Sequence, residues 1–236
     1  MIAIFKRELK SYFTSPIGYA FMGFFLLTSG LFFTVSNLNQ ANGSLAEMLS
    51  QVSYVFMVLV PVLTMRTLAE DRKSKADQML LTAPVSVGGI VLGKYFAALC
   101  VFLTTLAITL VYPIILARYA ALPFGEIFTG YLGFLLIGAA FIAVGVFFSA
   151  LAENQVTAAA STFAALLAMY LMDLLTPSVS ITWAASLMKW FSAYKRFELF
   201  VSGVLPFADI VYFISFIAIF LFVAVRAVER RRWSGG

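Results

Sequence analysis

The chain has 236 residues, 62% of them hydrophobic and 11% charged, with a formal net charge of +5. At a mean hydropathy of +0.98 there are too few polar side chains to cover a soluble fold of this length, so the composition describes an integral membrane protein and excludes a separate soluble catalytic domain. Cys100 is the single cysteine and histidine is absent, which excludes a disulfide within the chain, His/Cys metal centres and His-based catalytic triads.

The N-terminal MIAIFKRELKSYFTSP is amphipathic. Ile2, Phe5, Leu9, Tyr12 and Phe13 share one helical face, and Lys6, Arg7 and Lys10 lie elsewhere. This predicts a helix over 1–15 lying in the cytoplasmic membrane interface, either as an anchor or as a docking surface for a cytoplasmic partner. Pro16 separates this helix from the first span. Six apolar segments meet the requirement of about 20 helical residues for crossing a bilayer. They cover 17–37, 50–66, 90–117, 127–149, 155–175 and 206–227, so the expected fold is all-α with six transmembrane helices in one domain over 1–236. Pro61 and Pro113 are candidate kink positions in the second and third spans.

Between spans two and three lies the most polar stretch, RTLAEDRKSKADQMLLTAPVSVGG. Within 67–84 it predicts a helix that ends before Pro84. Ala69, Ala76, Met79 and Leu80 fall on one side, and Glu70, Asp71, Ser74, Asp77 and Gln78 on the other. Asp71–Lys75 and Lys73–Asp77 are i,i+4 pairs worth about 0.2–0.5 kcal/mol each. The segment is either a solvated connector or a contact for another protein. Its charges are expected outside the bilayer, so that reversing Glu70 and Asp71 leaves the fold intact.

Span three opens with GGIVLGKY, which carries the G-x-x-x-x-G-K skeleton of a phosphate-binding loop. Such a loop needs a strand before it and Ser or Thr after the lysine for Mg²⁺. Here Tyr95 takes that place and a hydrophobic span comes next, so ATP binding is not expected. The glycines are read as packing and bending positions, and Lys94 as a boundary lysine whose stem snorkels to water.

Small residues recur at spacing four: Ala139/Ala143 and Gly145/Ser149 in span four, Ala160/Ala164/Ala168 in span five. They favour close helix packing, by default within the chain. Asp173 and Asp209 are expected near the outer edges of spans five and six, and Glu153 in the turn LAENQ is read as solvated. The external loop over 176–206 puts Trp183, Leu187, Trp190, Tyr194 and Phe197 on one helical face, either flat on the outer leaflet or dipping into the bilayer. Orientation is read from Lys and Arg: twelve lie at the two termini and between spans two and three, against Arg118, Lys189, Lys195 and Arg196 on the other side. Both termini are therefore expected in the cytoplasm, and the basic balance reflects topology and anionic lipid, with no need for nucleic acid.

The layout resembles the type-2 ABC exporter permeases over essentially the whole chain. The resemblance is sharpest at AEDRKSKADQMLLTAPVSVGGIVLGKY, with its acidic-basic segment, leucine run, Thr-x-Pro and Gly-Lys. Lys75 and Ala76 stand where Gly-Thr is usual in that family, and Gln78 where Glu is usual. The C-terminal FVSGVLPFADIVYFISFIAIFLFVAVRAVERRRW most resembles the gliding-motility-associated branch. The resemblance implies a half-transporter in the bacterial inner membrane, paired with a second permease chain as homodimer or heterodimer and driven by two cytoplasmic ATPase subunits. ATP and Mg²⁺ would sit on those subunits and no cofactor on this chain. It also implies that the N-terminal helix, with Lys6 and Arg7, and the coupling helix, with Glu70, Asp71, Arg72, Lys73, Asp77 and Gln78, sit on the ATPase. Two functions stay open. One is ATP-driven export of a hydrophobic, amphipathic or polymeric substrate. The other is mechanical transmission of the ATPase cycle to an extracytoplasmic or membrane accessory protein, with nothing transported. An intramembrane enzyme lacks any paired carboxylates or nucleophile–base pair.

Overall fold

The computed structural model describes residues 1–40, 42–73, 86–119, 123–176 and 192–234. Their regular structure is helical throughout, with no strand among the described residues. In chain order we label α1 (Ile2–Thr14), α2 (Pro16–Phe33), α3 (Ala46–Thr64), α4 (Ala69–Lys73), α5 (Val87–Thr109), α6 (Val111–Leu116), α7 (Phe124–Leu151), α8 (Gln155–Leu175), α9 (Ala193–Val201) and α10 (Phe207–Ser234). Six helices among the described residues are long and apolar enough to cross a membrane: Pro16–Leu38, Ala46–Asp71, Val87–Leu116, Phe124–Leu151, Gln155–Leu175 and Phe207–Arg230. These match the expected spans. Spans two and four begin a few residues before their apolar runs because Glu47 and Glu126 take up first-turn positions, where a carboxylate suits the helix dipole.

Pro16 acts as its position requires. Ser15 is extended (φ −99°, ψ 151°), and Pro16 opens α2 at its first turn, where its missing N–H is no loss. The two later prolines behave differently. Helix α3 continues through Pro61. At Leu110, three residues before Pro113, the third span divides into α5 and α6, and the Thr109 carbonyl that a residue-113 N–H would have bonded accepts the Tyr131 hydroxyl at 2.9 Å.

Helix α7 is the axis of the bundle, buried along most of its length against α3, α5, α8, α9 and α10. Its small residues allow this. A Cβ at Gly145 would stand 2.2 Å from Thr64 Oγ1, and one at Gly133 would stand 2.4 Å from Phe200 Cβ. Around α7, rings from four helices interlock: Phe25 and Phe134 at 5.9 Å, Phe56 and Phe102 at 4.7 Å, Phe102 and Phe134 at 5.9 Å. Rings at this spacing bury large apolar area in preferred tilted geometries.

One packing expectation changes and one open choice is decided. Ala139, Ala143, Gly145 and Ser149 are buried as expected, but Ala160, Ala164 and Ala168 face outward from α8, so among the described residues this stripe is left uncovered. The reason is register: α8 turns Ala158, Thr162, Leu166, Met169 and Asp173 inward instead. Of the two placements open for the 176–206 loop, its described helix α9 takes the inward one. It enters the bundle between α3, α7 and α8, with Tyr194, Phe197 and Phe200 buried. Tyr194 stacks near Tyr54, Tyr170 and Phe141, and Phe197 meets Phe134. Trp183, Leu187, Lys189 and Trp190 lie outside the described residues.

Candidate functional site

The site is assembled where α1, α4 and the start of α5 meet. Helix α1 lies along α5, with Ile4 and Tyr12 buried and Phe5, Leu9 and Phe13 half-buried against the core. Ile2, expected on that apolar face, is exposed, because the face in contact with α5 is centred on Ile4. The Tyr12 hydroxyl donates to the Leu63 carbonyl at 2.8 Å, a group set free because Thr67 N–H turns back to Thr64 at the end of α3. Burial pushes the Tyr12 hydroxyl well above its ordinary value, so it remains a donor. Lys6 and Arg7 are exposed on α1, and Arg7 holds Glu8 Oε1 at 2.7 Å. The hydrogen bond to Glu8 keeps the Arg7 guanidinium above its usual value.

Of the polar segment, residues 66–73 and 86–89 are described, and α4 is the helix in the first of these stretches. It is fastened to three spans. The Ser149 hydroxyl of α7 accepts the Leu68 and Ala69 N–H groups at 3.0 and 3.1 Å, capping donors that the start of a helix leaves unpaired. Arg66, at the end of span two, grips Glu70 with two parallel bonds, Nε to Oε2 at 2.5 Å and Nη2 to Oε1 at 2.7 Å. Asp71 turns inward, its Oδ2 lying 2.7 Å from Lys94 Nζ. Arg72 and Lys73 are on α4, while Asp77 and Gln78, along with Lys75 of the expected i,i+4 pairs, lie outside the described residues. The structure thus brings Arg7 and α4's Glu70 and Asp71 to one end of the bundle, with Lys6 on the same helix as Arg7.

Lys94 is the residue that sequence reasoning misplaced. It does not snorkel. Its side chain is 1% exposed, with Nζ 3.1 Å from Glu8 Oε1 as well as 2.7 Å from Asp71. An ammonium removed from water needs such partners, and deleting the carboxylate side of a buried pair typically costs about 3–5 kcal/mol. A signal was present: Glu8 is the sole acid before residue 47, and it stands among the basic residues of an amphipathic helix. The GGIVLGKY segment is regular helix from Val87, capped by the Ser86 hydroxyl accepting Gly89 N–H at 3.2 Å. Its backbone donors serve the helix, and its lysine serves two carboxylates, so this skeleton is no phosphate cradle.

At the opposite end, Asp173 and Asp209, expected at the edges, are buried at 6% and 5% exposure. Helix α9 explains both. Asp173 Oδ2 accepts the Tyr194 N–H at 3.0 Å at the start of α9, and Arg196 of α9 pairs with Asp209 while lying 4.1 Å over the Tyr212 ring.

A family model described as ABC-2 family transporter protein matches residues 5–228. No curated protein matches the chain. The matched region contains every helix from α2 to α9 and most of α1 and α10. The chain belongs to the ABC-2 family of transporter proteins: it is the multi-pass membrane subunit of an ABC transporter, of a kind that works with a cytoplasmic ATPase subunit.

Proposed function

We propose that the chain is the permease half of a bacterial inner-membrane exporter, with both termini in the cytoplasm and its ATPase seated on α1 and on the polar segment that α4 begins. The observation that carries this reading is the fastening of α4. Ser149, Arg66 and Lys94 connect five residues of a charged segment to α7, the end of α3, and α5. A solvated connector requires no such anchorage; a segment that receives force does. Differential contact of this segment with the two states of an ATPase dimer would supply coupling. The exposed Ala160, Ala164 and Ala168 supply a close-packing face for a second permease chain. The C-terminal sequence supports kinship with the gliding-motility-associated branch.

The test is co-purification of the ATPase from the native membrane. Lys6→Glu combined with Lys73→Glu is expected to lower ATPase recovery by about tenfold or more while the permease stays monodisperse. Undiminished recovery would leave the polar segment a connector. A second reading, mechanical transmission to an extracytoplasmic partner, is favoured by α9, because a loop anchored on Asp173 and Asp209 passes movement of α8 and α10 outward. Stimulation of ATP turnover by a small molecule supports export; stimulation by a partner protein alone supports transmission.

A further inference from the structure

We propose that Lys94 is a positioning residue for the ATP-driven stroke: it ties α1 and α4 to the head of the third span so that the three move as one piece. This rests on the permease reading. One ammonium lies within 3.1 Å of two carboxylates from elements far apart in the chain, Glu8 on α1 and Asp71 on α4. With Arg7 on Glu8, the cluster holds two positive and two negative charges, so losing any one leaves an unbalanced charge beside a buried side chain. Adhesion alone does not require this. Apolar side chains of similar volume hold helices together as well as or better than buried ions. What an ion cluster adds is register: its strength depends on distances near 3 Å, so sliding α1 or α4 along α5 by a fraction of a turn unpairs Lys94. Two further bonds fasten the same elements to other spans. Tyr12 joins α1 to the end of α3, and Ser149 joins the start of α4 to α7. Two of the three tied elements are those proposed to carry the ATPase, and the third is a membrane span. Pushing on either cytoplasmic element therefore displaces span three.

The experiment uses the permease in nanodiscs with its co-purified ATPase, in a Cys100→Ser background carrying Tyr119→Cys. Tyr119 is 80% exposed, just beyond α6 at the far end of span three. The variants are Lys94→Met, Lys94→Arg, and Lys94→Met with Glu8→Gln and Asp71→Asn, which leaves no carboxylate stranded. Two quantities are read: hydrogen exchange in residues 2–14 and 69–73, and the change in maleimide labelling at position 119 on vanadate trapping with ATP. In the triple variant we expect exchange in both segments to rise together by about tenfold. We expect the nucleotide-dependent labelling change, about fivefold in the parent, to vanish when the two are compared at equal amounts of bound ATPase. Lys94→Arg should retain most of both. If Lys94→Met fails to fold, the triple variant decides. A triple variant that folds, exchanges like the parent and keeps the full labelling change would overturn the proposal and leave Lys94 a packing residue. If no ATPase accompanies the parent chain, the permease reading fails separately, and exchange alone decides: unchanged protection of 2–14 and 69–73 overturns the tie.

Discussion

The two ends of the bundle solve the same problem in different ways. At the α1 end a lysine is buried between two carboxylates contributed by different helices, Glu8 and Asp71. At the α9 end an arginine meets one carboxylate, Asp209, and completes its surroundings with the face of Tyr212, while the second carboxylate, Asp173, serves a backbone N–H. The first arrangement links three elements through charge, beside the apolar contact of α1 with α5. The second links a short helix to its two neighbours, and aromatic rings from Tyr54, Tyr170 and Phe134 carry much of the contact. The difference suits a compact ammonium on a flexible stem, which can serve two acceptors, and a planar guanidinium, which stacks. It also separates an end built to keep register from one built to hold a helix inside the membrane bundle.

The largest expected effect comes from breaking the α9 end. Arg196→Met strands Asp209 at 5% exposure and is expected to lower stability by about 3–5 kcal/mol, read as a fall in the thermal unfolding temperature of the purified protein. Adding Asp209→Asn should recover most of the loss. An unchanged unfolding temperature for the single variant would mean that packing alone holds α9.

Within α4, neighbouring acids should behave unequally. Asp71→Lys sets a second ammonium against buried Lys94 and is expected to cost several kcal/mol, about 3–5 by analogy with broken buried pairs. Glu70→Lys loses a pair whose acid is 39% exposed and is expected to cost about 0–1 kcal/mol. Comparing expression and unfolding temperature of the two variants checks this. Equal effects would contradict the inward placement of Asp71. The double reversal of Glu70 and Asp71, which the sequence reading expects to leave the fold intact, is therefore expected to disturb it, and ATPase docking is better probed at Lys6 and Lys73.

A smaller effect sharpens the account of span three, the element that Lys94 heads. Tyr131→Phe leaves the Thr109 carbonyl unpaired and is expected to cost about 1–3 kcal/mol. Pro113→Ala restores an N–H for that carbonyl, so the double variant should be less destabilised than the sum of its parts. Simple additivity in this cycle would show that the hydroxyl does not stand in for the missing donor.

The spans, the break at Pro16 and the α1 helix were legible because hydropathy and proline geometry act locally along the chain. What was not legible depended on partners elsewhere in the sequence. Lys94 reads as a boundary lysine until Glu8 and Asp71 are brought beside it. Arg196 reads as an external charge until Asp209 returns to it, and without that pairing the sequence cannot choose between a surface and an inward placement of α9. The alanine stripe of α8 has the spacing of close packing, but spacing does not say which side of the helix the chain itself will cover. Of the expected coupling residues, Asp71's inward turn was invisible to helical periodicity, since five residues of α4 are oriented by Ser149, Arg66 and Lys94 and not by an apolar stripe of their own.

The most direct test of the central claim, that the α1 end receives the ATPase, is photo-crosslinking in intact cells with a photoreactive residue placed at Lys6 or at Tyr119. Both positions are exposed and lie at opposite ends of the span-three assembly. The account predicts an ATP-binding-cassette protein crosslinked from position 6 and none from position 119. Crosslinking of the ATPase from position 119, or from neither position while the complex still co-purifies, would contradict it.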